Sequence, residues 1–226
     1  MAIFALDEEL VFPHPTLCEP DGLLAFGGSL SPERLLLAYR WGIFPWFNEG
    51  QPILWWWITP RLMIRPQQVH VSHSVRNAMN QNQFRITIDQ NFEGVMRNCS
   101  SVERAGQGGG TWILPEMIDA YIELHHLGYA HSVEAYDGDK LVGGLYGLAL
   151  GKIFSGESMF ALKANASKVC LVHLANHLNK KGFEWIDCQQ DTPHMRTFGA
   201  ELIDQETFLH ILRDNQAYML SSGISF

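Results

Sequence analysis

Tryptophan is concentrated in one short stretch of this chain. Five of the seven tryptophans among its 226 residues lie within residues 41–57. An indole ring buries a large apolar area and its N–H needs an acceptor, so this density predicts a packed core, a stacking platform, or both. The consecutive rings of residues 55–57 point to opposite faces of an extended segment, which predicts core. Trp46 follows Pro45 in a loop rich in Gly, Pro and Asn, and we expect it to offer a flat face to a nucleobase or a substrate side chain.

Composition is that of a globular protein, with 46% hydrophobic and 18% charged residues. The length predicts one large domain, or one domain with a small appendage. The opening MAIFALDEEL has no basic segment, and no apolar run approaches the roughly 20 residues of a membrane helix, so we expect a cytoplasmic protein. The 4 cysteines and 10 histidines lack the spacing of disulfide frameworks or metal sites, and no metal is predicted.

The net charge of −8 is unevenly distributed. Residues 1–25 and 201–226 carry the whole acidic excess, whereas residues 61–104 hold six arginines against three acidic side chains. This basic segment is either a weak phosphate-binding patch or a set of solvated arginines on helix faces, and the sequence leaves both interpretations open.

A change of composition near residues 58–62 predicts two domains: residues 1–61 form a small N-terminal domain with the aromatic loop, and residues 62–226 form the larger one. The larger domain is predicted to contain, in order, a helix, a strand, two helices, three antiparallel strands, a helix and a further strand. The fold class is therefore α+β, with a central, largely antiparallel sheet flanked by helices. This order is similar to that of Gcn5-related N-acyltransferase folds.

Two polar residues enter the apolar segment IDCQ. Strand alternation places Asp187 and Gln189 on one face and Cys188 on the other, where it is expected to be core. Two polar groups on an apolar strand are stable when they bond each other, solvent or a ligand. An internal structural pair and a functional pair are both consistent with the pattern.

An acidic residue enters the strand-like segment SGESMF. Alternation groups Glu157 with Ser155 and Met159 on one face. A buried carboxylate needs an amine, an arginine or a hydroxyl as partner. The amino group of a peptide substrate would meet that need, and so would an internal salt bridge.

Several blocks taken together resemble the leucyl/phenylalanyl-tRNA-protein transferases. The resemblance extends from about Phe12 to Leu212 and keeps the family's order. Its blocks are DGLLAFGGSLSPERLLLAYRWGIFPWF, PILWW, GTWI, HSVE, LVGGLYG, FSGESMF, NASK and IDCQ. Members of this family move Leu or Phe, and Met less well, from aminoacyl-tRNA to the N-terminal Lys or Arg of a protein, which marks that protein for degradation by the N-degron pathway.

The resemblance also implies roles for individual residues. The catalytic pair is Asp187 and Gln189: Gln189 orients the attacking amine, Asp187 raises its electron density, and the leaving ribose hydroxyl collects the proton. Glu157 holds the positive end of the acceptor. The reacting ester is already activated, so no cofactor, metal or covalent enzyme intermediate is expected. The remaining implied residues are Trp46 and Trp112 for the 3′-terminal adenosine, Leu145, Phe154, Ser155, Met159 and Leu171 for the aminoacyl side chain, and Arg76 and Arg85 for tRNA phosphates.

The chain departs from the family pattern at two pocket positions and along one helix. Leu145 stands where the family often has Met, and Ser155 where it often has Cys, which bears on fine selectivity. The helix around Arg76 is less basic than in many members, which predicts a weaker hold on tRNA phosphates.

Three other functions fit parts of the pattern. An acyl-CoA-dependent acyltransferase is disfavoured because the turn FALKANASK lacks the glycines of a pyrophosphate cradle. A catalytically silent RNA-binding module is disfavoured by the acidity of the chain. A ligase of cell-wall peptides that uses aminoacyl-tRNA shares the donor and differs in its acceptor.

Overall fold

The computed structural model describes residues 3–101, 111–221 and 226. The helices in this part of the chain are α1 (Pro32–Arg40), α2 (His73–Asn80), α3 (Phe92–Ser101), α4 (Pro115–His126), α5 (Ala166–Lys180), α6 (Pro193–Arg196) and α7 (Gln205–Ser221). The strands are β1 (Phe4–Leu6), β2 (Leu23–Gly27), β3 (Phe44–Pro45), β4 (Leu54–Trp56), β5 (Arg61–Ile64), β6 (Arg85–Ile88), β7 (Ala130–Asp137), β8 (Lys140–Leu150), β9 (Ile153–Ala161), β10 (Trp185–Gln189) and β11 (Glu201–Ile203). None of the described helices is long and apolar enough to cross a membrane.

The larger sheet has the strand order β11-β5-β10-β9-β8-β7-β6. Its pairs are antiparallel except for β9 and β10, which run parallel. Helices α3 and α4 pack against β7 and its neighbours, and α5 packs against β7, β8 and β9. The predicted α+β class is confirmed, as is the predicted meander of three strands followed by a helix and a strand.

The smaller sheet has the order β1-β2-β4-β3 and contains the tryptophan run. Trp55 and Trp57 are fully buried, as predicted. Trp56 is only half-buried, so its prediction as core is wrong. It faces the other side of the strand and lies beside Trp46, with ring centroids 5.6 Å apart. One face of this small sheet is covered by the core, and the other is partly open.

The smaller sheet shares a core with the larger part of the chain. Trp57, with Leu35 and Tyr39 of α1, belongs to the same hydrophobic cluster as Tyr121 of α4 and Tyr146 of β8. Helix α1 begins with a cap in which the Ser31 side chain accepts a hydrogen bond from the backbone of residue 34, as the Ser-Pro pair predicted. Because α1 is fixed at its start and packed along its length, Tyr39 is held against α4.

Candidate active site

Two irregularities in neighbouring strands define the centre of the site. In β9 the register against β8 shifts between Gly156 and Ser158, so that Glu157 is the extra residue of a bulge. In β10 the register against β5 shifts between Asp187 and Gln189, and Gln189 has a left-handed φ of 59°. A bulge redirects a side chain out of the regular alternation. The two bulges bring Glu157 and Gln189 together, with Gln189 Nε2 donating to Glu157 Oε1 at 2.8 Å.

Asp187 is turned away from the Gln189 side chain and into a buried ion pair. Arg61 Nε donates to Asp187 Oδ1 and Arg61 Nη2 donates to Oδ2, each at 2.7 Å. The two residues are 1% and 2% exposed, and the guanidinium carbon lies 5.1 Å and 4.9 Å from the ring centroids of Phe44 and Phe208. Asp187 Oδ1 also accepts the backbone N–H of Gln189 at 2.9 Å. The link from Asp187 to Gln189 therefore runs through the backbone, and the expected contact between the two side chains is replaced by separate partners.

Glu157 has the hydroxyl partner that its position in an apolar strand predicted. The hydroxyl of Tyr121 donates to Glu157 Oε2 at 3.3 Å and also contacts the hydroxyl of Tyr39. Burial raises the pKa of Glu157 from 4.5 to about 7, even though hydrogen bonds from Tyr39, Gln189 and Tyr121 oppose the rise. Glu157 is thus a carboxyl group that changes charge near neutral pH.

An apolar cavity of about 330 Å³ lies on one side of this pair. We call it the side-chain cavity. It is lined by four of the five predicted pocket residues, together with Glu157, Gln189 and others; those four are Leu145, Phe154, Met159 and Leu171. Ser155 is not part of this lining, because it follows Phe154 in a regular part of β9 and points to the opposite face.

A second cavity of about 290 Å³ lies on the other side, and we call it the aromatic cavity. Trp46 and Trp112 both line it, as do Glu157 and Gln189. The two cavities therefore meet at Glu157 and Gln189. A ligand with a flat aromatic end and an apolar side chain would place the atoms between those two ends beside this carboxyl–amide pair.

Cys188 lies between the two cavities and lines both of them. The prediction that it is a core residue is wrong, because the bulge in β10 leaves it half-buried at the cavity wall. Burial and the nearby Asp187 carboxylate raise the pKa of the Cys188 thiol far above its usual range. The thiol is therefore neutral and a poor nucleophile at physiological pH.

Arg76 and Arg85 lie apart from the two cavities. Arg76 is exposed on α2, and Arg85 is exposed on the edge strand β6 with its guanidinium 4.4 Å from the centroid of Tyr136. In the sheet order β6 is separated from β9 by β8 and β7, which corresponds to about 14 Å at the usual strand spacing. Neither arginine lines the side-chain cavity or the aromatic cavity.

Sequence reasoning missed three residues of the site, namely Arg61, Tyr39 and Tyr121. Each is fully or almost fully buried and reaches the site from a different element. Arg61 was counted as part of the basic segment, yet it is the partner of Asp187. An arginine inside the apolar run of a strand was a signal that it needed a buried acidic partner. The part of the chain that the structure describes contains no group of three or more His, Cys, Asp or Glu side chains arranged to hold a metal ion.

Comparison with known proteins identifies the family. The family model described as leucyl/phenylalanyl-tRNA protein transferase matches residues 63–213, and the model of that family's N-terminal domain matches residues 28–56. The chain belongs to the leucyl/phenylalanyl-tRNA protein transferase family.

Curated relatives named leucyl/phenylalanyl-tRNA–protein transferase include the following three. The protein of Syntrophobacter fumaroxidans is 53% identical, over 95% of this chain and 92% of its own length. The protein of Maridesulfovibrio salexigens is 51% identical, over 94% of this chain and 88% of its own length. The protein of Desulfatibacillum aliphaticivorans is 50% identical, over 99% of this chain and 95% of its own length. The similarity therefore extends over both sheets and the whole candidate site.

Proposed function

We propose that this protein transfers Leu or Phe, and Met less well, from aminoacyl-tRNA to the N-terminal Lys or Arg of acceptor proteins. The product carries a new peptide bond and is marked for degradation by the N-degron pathway. One observation carries the proposal: an apolar cavity and an aromatic cavity meet at Glu157 and Gln189. An aminoacyl-adenosine has an apolar side chain at one end, an aromatic base at the other, and the reactive ester between them.

The donor occupies both cavities in this proposal. The terminal adenine stacks against Trp46 and Trp112, and the aminoacyl side chain enters the side-chain cavity among Leu145, Met159 and Leu171. Apolar walls exclude charged side chains strongly, because a charge there would lose its hydration without gaining a partner. They separate Leu from Met poorly, since one methylene changes binding by about 1 to 3 kcal/mol.

The reaction is attack of the acceptor's α-amine on the ester carbonyl. Gln189 orients the amine, and the Glu157 carboxylate attracts the positive charge that the acceptor carries when it arrives, before the amine loses a proton and attacks. Asp187 contributes indirectly. Its carboxylate accepts the backbone N–H of Gln189 and so holds that residue in its left-handed conformation. The ester is already activated, so placing the two reactants side by side supplies much of the acceleration. The leaving group is the hydroxyl of the terminal ribose.

The test is a transfer assay with two donors and three acceptors. Leu-tRNA and leucyl-coenzyme A are each offered with peptides that begin with Arg, Lys or Ala and are otherwise identical. We expect transfer from Leu-tRNA to the Arg and Lys peptides. Transfer from the coenzyme A thioester, or transfer to Ala as readily as to Arg, would contradict the proposal and favour a general acyltransferase.

The stacking role of Trp46 gives a first prediction. Trp46→Ala is expected to weaken binding of the aminoacyl-adenosine end by about 1 to 3 kcal/mol, the usual contribution of a base–aromatic stack. The variant should remain folded, because Trp46 is half-buried at the cavity wall. A leucyl-adenosine analogue with an amide in place of the ester, titrated by calorimetry, provides the measurement.

Trp57→Ala serves as the matched control. Trp57 is fully buried, and its removal should destabilise the protein by about 3 to 5 kcal/mol. Its folded fraction should bind the analogue like the wild type. Unchanged affinity in Trp46→Ala would remove Trp46 from the donor site.

The exposed arginines give a second prediction. Residues 50–88 contain no Asp or Glu, so Arg76 and Arg85 lie in an acid-free segment of an acidic chain. We propose that both contact tRNA phosphates. Each substitution by Ala should reduce the slope of log affinity for tRNA against log salt concentration by about 1.

The control for this salt titration is Arg213→Ala, which removes an exposed arginine from α7. Its slope should equal that of the wild type. Equal slopes for Arg76→Ala, Arg85→Ala and the wild type would show that these arginines make no phosphate contact.

The division into residues 1–61 and 62–226 is a further proposal, supported by the two family models that match the two parts separately. The smaller part contributes Trp46 to the aromatic cavity and Tyr39 to the surroundings of Glu157. We place the reaction in the cytoplasm, where aminoacyl-tRNA is formed.

A further inference from the structure

Three buried or half-buried groups from three different elements meet in one hydrogen-bonded chain. Tyr39 comes from α1, Tyr121 from α4 and Glu157 from the bulge of β9. Tyr39 and Tyr121 are 5% and 0% exposed, and their hydroxyls contact each other. Tyr121 then donates to Glu157 Oε2 at 3.3 Å. Nothing in the role assigned to Glu157 so far requires this pair of phenols.

The two tyrosines act as hydrogen-bond donors throughout the physiological pH range. Burial and the neighbouring Glu157 carboxylate raise the pKa of both phenols well above the usual range. They therefore keep their protons when Glu157 loses its own. Gln189 Nε2 holds the other carboxylate oxygen, so each oxygen of Glu157 has a donor. The ionised carboxylate is fixed in one orientation at the wall of both cavities.

Other titratable and charged groups surround this carboxyl group. Asp187 lies behind Gln189 and is paired with Arg61, so it is neither free nor exposed to a substrate. Cys188, whose thiol is neutral, and Tyr146 also line the side-chain cavity. His194 lines the far part of the same cavity. Among these groups Glu157 is the acid that reaches both cavities and changes charge near neutral pH.

We infer that Glu157 takes a proton from the acceptor's ammonium group, and that Tyr39 and Tyr121 are positioning residues that hold the carboxylate for this step. The inference rests on the proposed function, since it concerns the same acceptor and the same ester. A base whose pKa lies near the working pH is the most effective proton acceptor. The geometry supplies that base at the place where the two cavities meet.

The proton balance is complete with these groups. The acceptor arrives as an ammonium ion and loses one proton to Glu157, which leaves a neutral amine with a free electron pair. That pair forms the new C–N bond at the ester carbonyl carbon, and the C–O bond to the ribose breaks. The nitrogen's second proton reaches the departing ribose oxygen, and Glu157 returns its proton to solvent. One peptide bond, one ribose hydroxyl and one released proton are formed.

The experiment measures kcat/KM for an Arg peptide, at saturating Leu-tRNA, from about pH 6 to about pH 9. The proteins are the wild type, Tyr39→Phe, Tyr121→Phe, Glu157→Gln and Tyr129→Phe. Loss of a hydrogen-bond donor to the Glu157 carboxylate raises the pKa of that group. Tyr39→Phe and Tyr121→Phe should therefore each shift the rising part of the kcat/KM profile to higher pH. At pH 7 their kcat/KM should fall about 2- to 10-fold, the effect of one hydrogen bond, and it should recover at high pH.

Two references separate this effect from other titrations. The α-amine of the peptide titrates in every assay, and Glu157→Gln should show that titration alone at a much lower rate. Tyr129 is half-buried outside the two cavities, and Tyr129→Phe should keep the wild-type profile. Carbon-13 NMR of the Glu157 carboxyl group gives its pKa directly in the wild type and in each folded tyrosine variant.

The outcomes distinguish the inference from the proposed function. A wild-type protein that fails to use Leu-tRNA would overturn both. An active wild type with equal losses of kcat/KM at every pH in the two tyrosine variants would overturn the inference alone. A Glu157→Gln profile that rises with the same midpoint as the wild type would also overturn it. The inference is supported if the midpoint of the rise moves to higher pH in both tyrosine variants and if Glu157→Gln shows only the titration of the peptide's α-amine.

Discussion

Glu157→Gln is expected to lower kcat/KM for transfer by about 10²- to 10⁴-fold at neutral pH, which is the usual contribution of a positioned general base. The glutamine keeps the size of the side chain and still accepts hydrogen bonds, but it takes no proton from the ammonium group. The measurement is transfer of labelled Leu from Leu-tRNA to an Arg peptide under acceptor-limited conditions. Activity within a few-fold of the wild type would exclude Glu157 from proton transfer.

The stability of Glu157→Gln relative to that of the wild type should increase as the pH rises. Because burial raises the pKa of Glu157 from 4.5 to about 7, the folded state binds more protons than the unfolded state between those pH values. The wild type therefore loses stability from this group as the pH rises through that window, and Glu157→Gln does not. Urea unfolding at about pH 5 and about pH 8 measures the difference.

Glu184→Gln is the control for this stability comparison. Glu184 forms an exposed ion pair with Lys152, so Glu184→Gln should change stability little in either measurement. If Glu157→Gln loses activity but is more stable than the wild type at alkaline pH, the Glu157 charge reduces stability and is needed for activity. Equal stability differences at both pH values would mean that Glu157 titrates normally.

Breaking the buried ion pair between Arg61 and Asp187 is expected to have a large effect on stability. Arg61→Met leaves Asp187 with an uncompensated buried charge, and Asp187→Ala does the same to Arg61. Each should destabilise the protein by about 3 to 5 kcal/mol in urea unfolding. Transfer by the folded fraction of Asp187→Ala should also fall, because the Gln189 backbone loses the carboxylate that holds it.

A double-mutant cycle and an exposed pair test this interpretation. The double variant Arg61→Met, Asp187→Ala should be much less destabilised than the sum of the two single variants. Arg196 and Asp191 form a pair of the same geometry on the surface, with donor–acceptor distances of 2.6 Å and 2.7 Å. Arg196→Met should leave the midpoint of urea unfolding almost unchanged. Additive losses in the buried cycle would contradict the coupling of Arg61 and Asp187.

The elements of this fold are largely readable from the sequence. The meander β7–β9 follows from alternating apolar segments separated by turn residues, and α1 follows from Ser31, Pro32 and the apolar spacing after them. The burial of Trp55 and Trp57 follows from their size. Trp56 is less buried than predicted because only one face of the small sheet is covered. Which face is covered depends on tertiary packing, which a single segment of sequence does not reveal.

The site was less predictable, for two physical reasons. Simple alternation does not describe the polar groups in β9 and β10, because the bulges at Glu157 and between Asp187 and Gln189 redirect them, and of these two bulges only the one in β9 has glycines beside it. The partners that complete the site lie far away in sequence: Arg61 is 126 residues from Asp187, and Tyr39 is 82 residues from Tyr121. Pairings of this kind come from the topology of the fold, which local spacing does not encode.

A crystal structure with a leucyl-adenosine analogue, in which an amide replaces the reactive ester, would show where the donor binds. We expect the adenine between Trp46 and Trp112 and the leucyl side chain against Leu145 and Met159. The carbonyl carbon should then lie where an amine held by Glu157 and Gln189 reaches it. An analogue bound elsewhere, for example in the groove between α2, β6 and α5, with both cavities at Glu157 left empty, would contradict the proposed donor site.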